Sequence, residues 1–364
     1  MGAYLGFLGA VFLQWWIAFP LGRGRIVGEA DQKKKRTFVI LTCVEILLLA
    51  GLRATDLGAD TAVYVRALNY YSALDRSTIL TAPLVYPFDF EIGYFLLTKI
   101  CAWLHIGETA FLFVIAGLIY IPTFRFIHRY SENPAISIYV YFAFSLFGYS
   151  LGIFRQMIAT AIVLSAFGYI LDRKFIRFAA MVLLAMTFHT TAVIALALYW
   201  LARLPVRGRL AYILGGEAVL FIVARPLIVW ISGLFPMYAH YLDSQYDVRG
   251  GSYMMLLVMN AVVIAGYLTV EKTEEHDVIL NISLNAAAVG TFLLILGYSM
   301  GIFGRIVHFY TVYLVLLLPM IANRLLPRSR AAVQAGTFAV LALMFYVTTR
   351  GSAIVPYATV FSGR

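Results

Sequence analysis

Apolar runs of about twenty residues recur along the whole chain, and they constrain its fold more than any other feature. A run of that length is what an α-helix needs to cross the hydrocarbon core of a bilayer. Only 13% of the residues are charged, whereas soluble proteins carry roughly 25%. The sequence therefore predicts an all-α polytopic membrane protein, in which residues 1–364 form one integral membrane domain.

Twelve of these runs are predicted to cross the membrane. The first of them lacks a basic region before it and a small-residue cleavage site after it, so it is interpreted as a retained helix rather than a signal peptide. The predicted crossings lie at residues 4–20, 38–52, 109–127, 134–153, 156–171, 174–188, 190–203, 210–235, 252–270, 277–300, 304–323 and 331–349.

The distribution of positive charge predicts the orientation. If the twelve segments alternate in direction, 18 of the 28 Lys and Arg residues fall in connections on one side. Short cytoplasmic loops carry such an excess, so this side is predicted to be the cytoplasm. The net charge of +10 then needs no nucleic-acid partner. Cys43 and Cys101 have no partner spacing and are interpreted as packed thiols, and no motif for a metal or another cofactor is present.

Residues 91–105 form a further apolar run that cannot cross the membrane without inverting the charge pattern after it. The run is also too short for a crossing and contains Glu91, Lys99 and His105. It is predicted to be a re-entrant or interfacial helix on the outer face. Two long outer connections, 53–90 and 236–251, are rich in tyrosines that could stack on sugars, although tyrosine is enriched at any membrane interface.

One heptapeptide pattern occurs twice, each time at the end of a predicted crossing. Residues 148–154 read Gly-Tyr-Ser-Leu-Gly-Ile-Phe, and residues 297–303 read Gly-Tyr-Ser-Met-Gly-Ile-Phe. Arg155 follows the first copy and Arg305 follows the second. An internal structural repeat and local reuse of one packing solution both explain the duplication.

Arg155 and Arg305 lie at the predicted outer boundary, each at the start of a helix. An arginine at that depth is costly unless an anion or a wet cavity meets it. A helix N-terminus already favours an anion, and two planar guanidinium groups suit the oxygens of a diphosphate. The alternative is that either arginine is a snorkelling anchor.

Asp60, Glu91 and His189 share this outer boundary, and His308 lies three residues after Arg305. His189 occupies a tight turn between helices and could act as a base or donate to a phosphate, although a lone histidine is usually structural. Asp60 and Glu91 each suit the start of a helix, and either could instead accept a proton from a sugar hydroxyl.

Deeper in the membrane, the eighth crossing contains Glu217 and Arg225, the latter followed by Pro226. The pattern is interpreted as a proline kink with an internal ion pair.

The order and spacing of several short motifs resemble the EpsG family, which are Wzy-like polymerases of bacterial exopolysaccharide, capsule and O-antigen. The resemblance covers about residues 45–320. The serine or alanine that often follows Arg-Gln in the family is Met157 here. The motifs are Arg53 with Asp60, Thr61 and Tyr64, then Glu91-Ile92-Gly93-Tyr94, Ile153-Phe154-Arg155-Gln156, Phe188-His189, and Arg305 with Tyr310 or Tyr313.

The resemblance implies a multispanning enzyme of the bacterial inner membrane with an architecture like that of the metal-independent GT-C glycosyltransferases. It implies the joining, at the outer face, of oligosaccharide repeats carried on undecaprenyl diphosphate, in a bilayer that also holds flippase and chain-length-regulator proteins. The recurrent positions of the family assign diphosphate binding to Arg53, Arg155 and Arg305, and catalysis to Asp60, Glu91 and His189.

Two other functions stay open at this point. A lipid-linked oligosaccharide flippase would require charge along a central path, and only Glu217 and Arg225 lie deep in the predicted bundle. An integral-membrane glycan acyltransferase would require an outer-face signature that the sequence does not show.

Overall fold

The protein is helical in the part that the computed structural model describes. The described part of the chain contains no strand. Within it, four helices are long and apolar enough to cross a membrane: Glu108–Tyr130, Leu210–Trp230, Val278–Ser299 and Arg330–Thr349. The prediction of an all-α membrane protein is confirmed, while the twelve crossings and the GT-C-like architecture stay predictions. The described residues are 1–23, 26, 28–84, 88–234, 253–269, 277–325 and 327–362.

The helices follow one another through short connections. Up to residue 201 they are α1 (Gly2–Ala18), α2 (Glu29–Gly51), α3 (Thr61–Ser72), α4 (Arg76–Ile79), α5 (Ile92–Trp103), α6 (Glu108–Tyr130), α7 (Pro134–Ala143), α8 (Leu146–Ser150), α9 (Phe154–Ser165), α10 (Phe167–Leu171), α11 (Phe175–Met186) and, after the 3-10 helix Thr190–Ala197, α12 (Leu198–Leu201). Beyond residue 201 they are α13 (Leu210–Leu234), α14 (Tyr253–Thr269), α15 (Val278–Ser299), α16 (Ile302–Ile306), α17 (His308–Thr311), α18 (Leu314–Arg324) and α19 (Arg330–Thr349).

Several predicted crossings are divided into shorter helices. Residues 134–153 form α7 and α8, because the chain turns at Ser145, whose φ is 62°. Residues 304–323 bend by 51° where the segment Phe303–Thr311 meets α18, and the two together are apolar enough for a fifth span. A helix of 12 residues such as α9 is about 18 Å long, well short of the roughly 30 Å hydrocarbon core. Such breaks are tolerated at membrane depth where surrounding protein satisfies the backbone.

The long helices α2 and α6 pack antiparallel. At one end of the pair, Lys35 Nζ donates to the carbonyl of Ser131 at 2.8 Å. At the other end, Gly51 lies against the ring of Phe113 so closely that a Cβ would overlap it. The absence of a side chain at Gly51 is therefore what lets the two helices approach there.

By contrast, α6 and the α9–α10 segment run parallel. Tyr120 in α6 hydrogen-bonds Ser150 just before α9, with 2.5 Å between their oxygens. Further along both helices, the Phe126 ring packs edge-on against Phe167 at a centroid distance of 5.1 Å. The starts of α6 and α9 therefore lie toward the same end of the molecule, which is the predicted outer end.

Both ends of α5 also lie toward that end. Glu91, at its start, contacts the first turn of α9. In its middle, Lys99 Nζ donates to the carbonyl of Ala82 at 2.8 Å. Four residues separate its last residue from the start of α6. Asn69 of α3 donates to Glu108 at 2.6 Å, which holds that second end beside α3. This placement agrees with a re-entrant or interfacial helix.

A network of polar side chains connects the helices at the opposite end of the bundle. Asn323 Nδ2 donates to Glu132 Oε2 at 2.8 Å, and Gln334 Nε2 donates to Asn323 Oδ1 at 3.1 Å. The backbone N–H of Gly22 donates to Gln334 Oε1 at 2.8 Å. The network joins the ends of α6 and α18 to the start of α19 and the turn after α1, so the helices that carry the site are fixed at their far end.

Candidate functional site

Glu91 joins residues from three separate elements into one cluster. Its carboxylate forms an ion pair with Arg155 in the first turn of α9 and accepts a hydrogen bond from His189 Nδ1 at 2.9 Å. The backbone N–H of Thr190 donates to the same Oε1 at 3.2 Å. The side chains of Glu91, Arg155 and His189 are 14%, 25% and 22% exposed, so a substrate can reach this Glu91 cluster.

Gly93 brings the two sides of the Glu91 cluster together. Its N–H donates to the carbonyl of Thr187 at 2.7 Å, which docks the first turn of α5 on the end of α11. A Cβ at Gly93 would lie 2.8 Å from that carbonyl oxygen, closer than van der Waals contact allows. The glycine therefore permits the approach that places Glu91, two residues earlier, beside His189.

The environment of Glu91 keeps its carboxylate ionised. Burial acts to raise its pKa, but the hydrogen bond from His189 and the charge of Arg155 outweigh burial and lower the pKa to about 2. An ionised carboxylate can only accept hydrogen bonds, so the proton in this contact resides on His189 Nδ1. In the neutral imidazole, Nε2 then carries the lone pair that can take a proton.

Arg155 is held from several directions. Its Nη1 donates to Glu91 and, at 3.1 Å, to the carbonyl of Asp89. Its guanidinium lies 5.3 Å from the centroid of the Phe90 ring, in cation–π geometry, and the hydroxyl of Tyr64 lies next to it. The guanidinium is therefore fixed in orientation before any substrate binds.

Asp60 starts α3, as the sequence predicts, but its carboxylate makes no capping hydrogen bond there. The preceding loop is docked on the turn before α9, because Thr61 Oγ1 donates to the carbonyl of Leu151 at 2.7 Å. Gly58 has a φ of +116° and lies so close to the same carbonyl that no side chain fits. Asp60 is half-buried near Tyr64 and the Glu91 cluster, with its carboxylate not used as a cap.

Arg53, the third arginine assigned to diphosphate binding by the family resemblance, is buried. Its side chain is only 1% exposed, and its guanidinium donates to the carbonyls of Ala50 and, at 3.1 Å, Leu151. The C-terminal segment covers it, since the N–H of Ala54 donates to the carbonyl of Ala358 at 2.8 Å. The enclosed guanidinium positions the loop that carries Asp60, and direct diphosphate binding by Arg53 stays a prediction.

Arg305 lines a separate cavity of about 650 Å³, called here the Arg305 chamber. Arg155 and His189 are not among its lining residues, so the Glu91 cluster and the Arg305 chamber are two adjacent centres. The centres are linked because Gln156, next to Arg155, donates through Nε2 to the carbonyl of Arg305. Ile153, two residues before Arg155, also lines the chamber.

His308 is the feature of this chamber that the sequence did not assign. It is 5% exposed, and its ring packs on Tyr149 at a centroid distance of 4.0 Å. Among the described residues, neither of its ring nitrogens has a hydrogen-bond partner. Its position three residues after Arg305 was the only signal in the sequence, and that spacing does not reveal burial.

The model of the EpsG family matches residues 36–359, which include the Glu91 cluster and the Arg305 chamber. The chain belongs to the EpsG family. No curated protein and no solved structure matches it significantly.

In this EpsG-family protein the two copies of the heptapeptide adopt similar local structures. Each begins in the last turn of a helix that ends at its serine, Ser150 or Ser299, and a short turn leads into the helix that carries the arginine. Tyr149 and Tyr298, at the same position in each copy, both line the Arg305 chamber. The duplication thus supplies two walls of one cavity.

Glu217 and Arg225, the deep residues of α13, both bond to α15. Glu217 in α13 is hydrogen-bonded to Thr291 of α15, and Arg225 Nη1 donates to the carbonyl of Ser299 at 3.1 Å. The tyrosine-rich connection 236–251 lies outside the described residues. Within the described ranges, no group of three or more His, Cys, Asp or Glu side chains is arranged to hold a metal ion.

Proposed function

We propose that this EpsG-family protein is a polysaccharide polymerase of the bacterial inner membrane. It would transfer oligosaccharide repeats from an undecaprenyl-diphosphate carrier to a lipid-linked acceptor at the outer face. Family membership supports a role in polysaccharide biosynthesis. The observation that carries the proposal is the Glu91 cluster, in which one carboxylate orients a histidine and fixes an arginine beside it.

In this proposal His189 is the general base. Its Nε2 takes the proton of the acceptor hydroxyl as the hydroxyl oxygen attacks the anomeric carbon. Glu91 accepts from Nδ1, fixes the ring and stabilises the imidazolium that forms, so it is a positioning residue. Asp60, whose carboxylate is not used as a helix cap, is the second candidate for the base.

The arginines act on the leaving group. As the bond between the anomeric carbon and the diphosphate oxygen breaks, negative charge develops on the diphosphate, and undecaprenyl diphosphate departs. Arg155 and Arg305, on adjacent centres linked by Gln156, would stabilise that charge. Because Arg155 is already oriented by Glu91 and Asp89, little reorganisation accompanies the reaction.

A lipid-linked oligosaccharide flippase is the alternative to be excluded. Glu217, bonded to Thr291, and Arg225, bonded to the carbonyl of Ser299, are the polar contacts that such a function could use. The Glu132–Asn323–Gln334 network holds helix ends together opposite the Glu91 cluster, so the polar groups of these residues are used in structural contacts.

The test is reconstitution of the purified protein in liposomes with an undecaprenyl-diphosphate repeat unit and without ATP. The proposal predicts a ladder of products that differ by one repeat, with release of undecaprenyl diphosphate. A matched sample with protein-free liposomes sets the background. Movement of the repeat unit across the bilayer with no extension would instead identify a flippase and overturn the proposal.

A further inference from the structure

An apolar groove lies between α14, α18 and α19. Its volume is about 700 Å³, and apart from Thr337 and Thr348 all its lining residues are apolar. Along α19 it extends from Val333 to Thr348, about 22 Å at 1.5 Å per residue. The groove is open on the outer surface of the helix bundle, where Val340 and Leu343 are 64% and 63% exposed.

The groove is continuous with the Arg305 chamber. Phe144, Met254, Val347 and Thr348 line both cavities. The other end of the groove lies near the start of α19, where Gln334 belongs to the network at the inner end of the bundle. The groove therefore descends from the chamber, at the outer end, toward the inner face.

The chamber and the groove differ in chemistry. The chamber holds the cation of Arg305 and the buried ring of His308. Within the part of the chain that the structure describes, Tyr298 Oη and Thr311 Oγ1 are buried without a hydrogen-bond partner, as are both nitrogens of that ring. A cationic chamber with unused donors above a long apolar groove matches an anionic headgroup on a long hydrocarbon chain.

We propose that the groove binds the isoprenoid chain of the donor carrier lipid, with its diphosphate in the Arg305 chamber. This inference rests on the proposed function, because it takes the occupant to be the carrier of the oligosaccharide rather than a phospholipid of the bilayer. The open side between α14 and α19 is the route by which the chain enters from the membrane. The adjacent Glu91 cluster then faces the acceptor.

Gly336 provides a direct test, because it lines the groove and a Cβ there would have no atom within 4 Å. Gly336→Trp fills the groove without overlapping the backbone, and it removes a glycine from a helix interior, where glycine is unfavourable. The matched control is Gly9→Trp in α1, an exposed helical glycine outside the groove whose Cβ would also meet no atom within 4 Å.

The measurement is binding of undecaprenyl diphosphate and of farnesyl diphosphate to the purified proteins by native mass spectrometry. Gly336→Trp is expected to weaken binding of the long-chain lipid at least tenfold. Farnesyl diphosphate should bind to Gly336→Trp as tightly as to the unaltered protein. Its chain of three isoprene units is too short to reach Gly336, which lies about 18 Å from Thr348 along α19. Gly9→Trp should bind both lipids normally.

Unchanged binding of undecaprenyl diphosphate to Gly336→Trp would overturn the groove assignment, as would equal competition by phosphatidylglycerol. These readouts do not depend on turnover. If no polymer forms with any substrate while the binding pattern holds, the proposed function fails and the groove assignment stands. If the Gly336→Trp protein binds and polymerises normally, the groove assignment fails and the function stands.

Discussion

At the scale of single residues, the account depends on Glu91. Its carboxylate accepts hydrogen bonds from His189 and Thr190 and neutralises Arg155, so one side chain determines the orientation of two others. Removal of the carboxylate would leave a partly buried arginine without its partner charge, which is costly in a region of low dielectric. Glu91 is therefore expected to matter for stability as well as for activity.

Arg155→Lys is expected to lower the polymerisation rate about a hundredfold, the effect of a lost interaction of about 3 kcal/mol in the transition state. Lysine keeps the charge, but it lacks the planar fork that can bind Glu91 and phosphate oxygens together. The measurement is the initial rate with a defined repeat unit. Arg129→Lys, at an exposed site in the last turn of α6, is the matched control and should retain full activity. Equal rates in the two variants would identify Arg155 as an interfacial anchor.

The lowered pKa of Glu91 predicts a specific pH dependence of stability. Because the folded pKa, about 2, lies below the unfolded value near 4.3, ionised Glu91 stabilises the folded state above about pH 4.3. This stabilisation is lost as the pH falls toward 2. The difference in Tm between the unaltered protein and Glu91→Gln should thus be larger at pH 5 than at pH 3.

The same comparison with Glu29→Gln supplies the control. Glu29 is exposed in the first turn of α2, so its replacement should change Tm little at any pH. A Tm difference for Glu91→Gln that stays constant down to pH 2.5 would show that the carboxylate does not derive stability from its charge.

At the scale of secondary-structure elements, α5 tests the topology. Both of its ends lie toward the starts of α6 and α9, so a cysteine after its last turn should be accessible from the outer side. In a protein with Cys43→Ser and Cys101→Ala, Leu104→Cys is predicted to react with an impermeant maleimide added outside intact cells. Leu104 is 51% exposed, and Arg129→Cys, at the other end of α6, should react only after the membrane is opened. Labelling of Leu104→Cys only from the cytoplasm would contradict the predicted topology.

The sequence predicted the long helices well, because in each of them the apolar run and the continuous helix have nearly the same bounds. The segments 109–127, 277–300 and 331–349 correspond to α6, α15 and α19 to within a few residues. It did not predict the break at Ser145 or the 3-10 helix Thr190–Ala197, because hydropathy measures burial in an apolar medium and not backbone continuity.

From the sequence, Glu91, Arg155 and His189 could be assigned to the same membrane boundary, but their contacts with one another could not be predicted. Their pairing depends on the close approach at Gly93, a tertiary contact that residue spacing does not encode. The enclosure of Arg53 is likewise not visible in the sequence. Its enclosure by Leu151 and the C-terminal segment involves residues roughly a hundred and three hundred positions away along the chain.

At the scale of the whole molecule, two adjacent centres lie toward one end of the bundle. The Glu91 cluster holds a histidine suited to take a proton, and the Arg305 chamber holds a cation above an apolar groove. Gln156 connects them across the start of α9. The arrangement agrees with a reaction in which an acceptor hydroxyl and a lipid diphosphate approach one sugar from opposite sides.

The most direct test of the account is the initial polymerisation rate of His189→Asn. The asparagine amide can still donate to Glu91 from the position of Nδ1, so the cluster and the fold are retained, but no group replaces the base at Nε2. The account predicts an unchanged Tm within a few degrees and a loss of kcat of about a hundredfold or more with a similar KM. A folded His189→Asn protein that polymerises at the rate of the unaltered protein would contradict it.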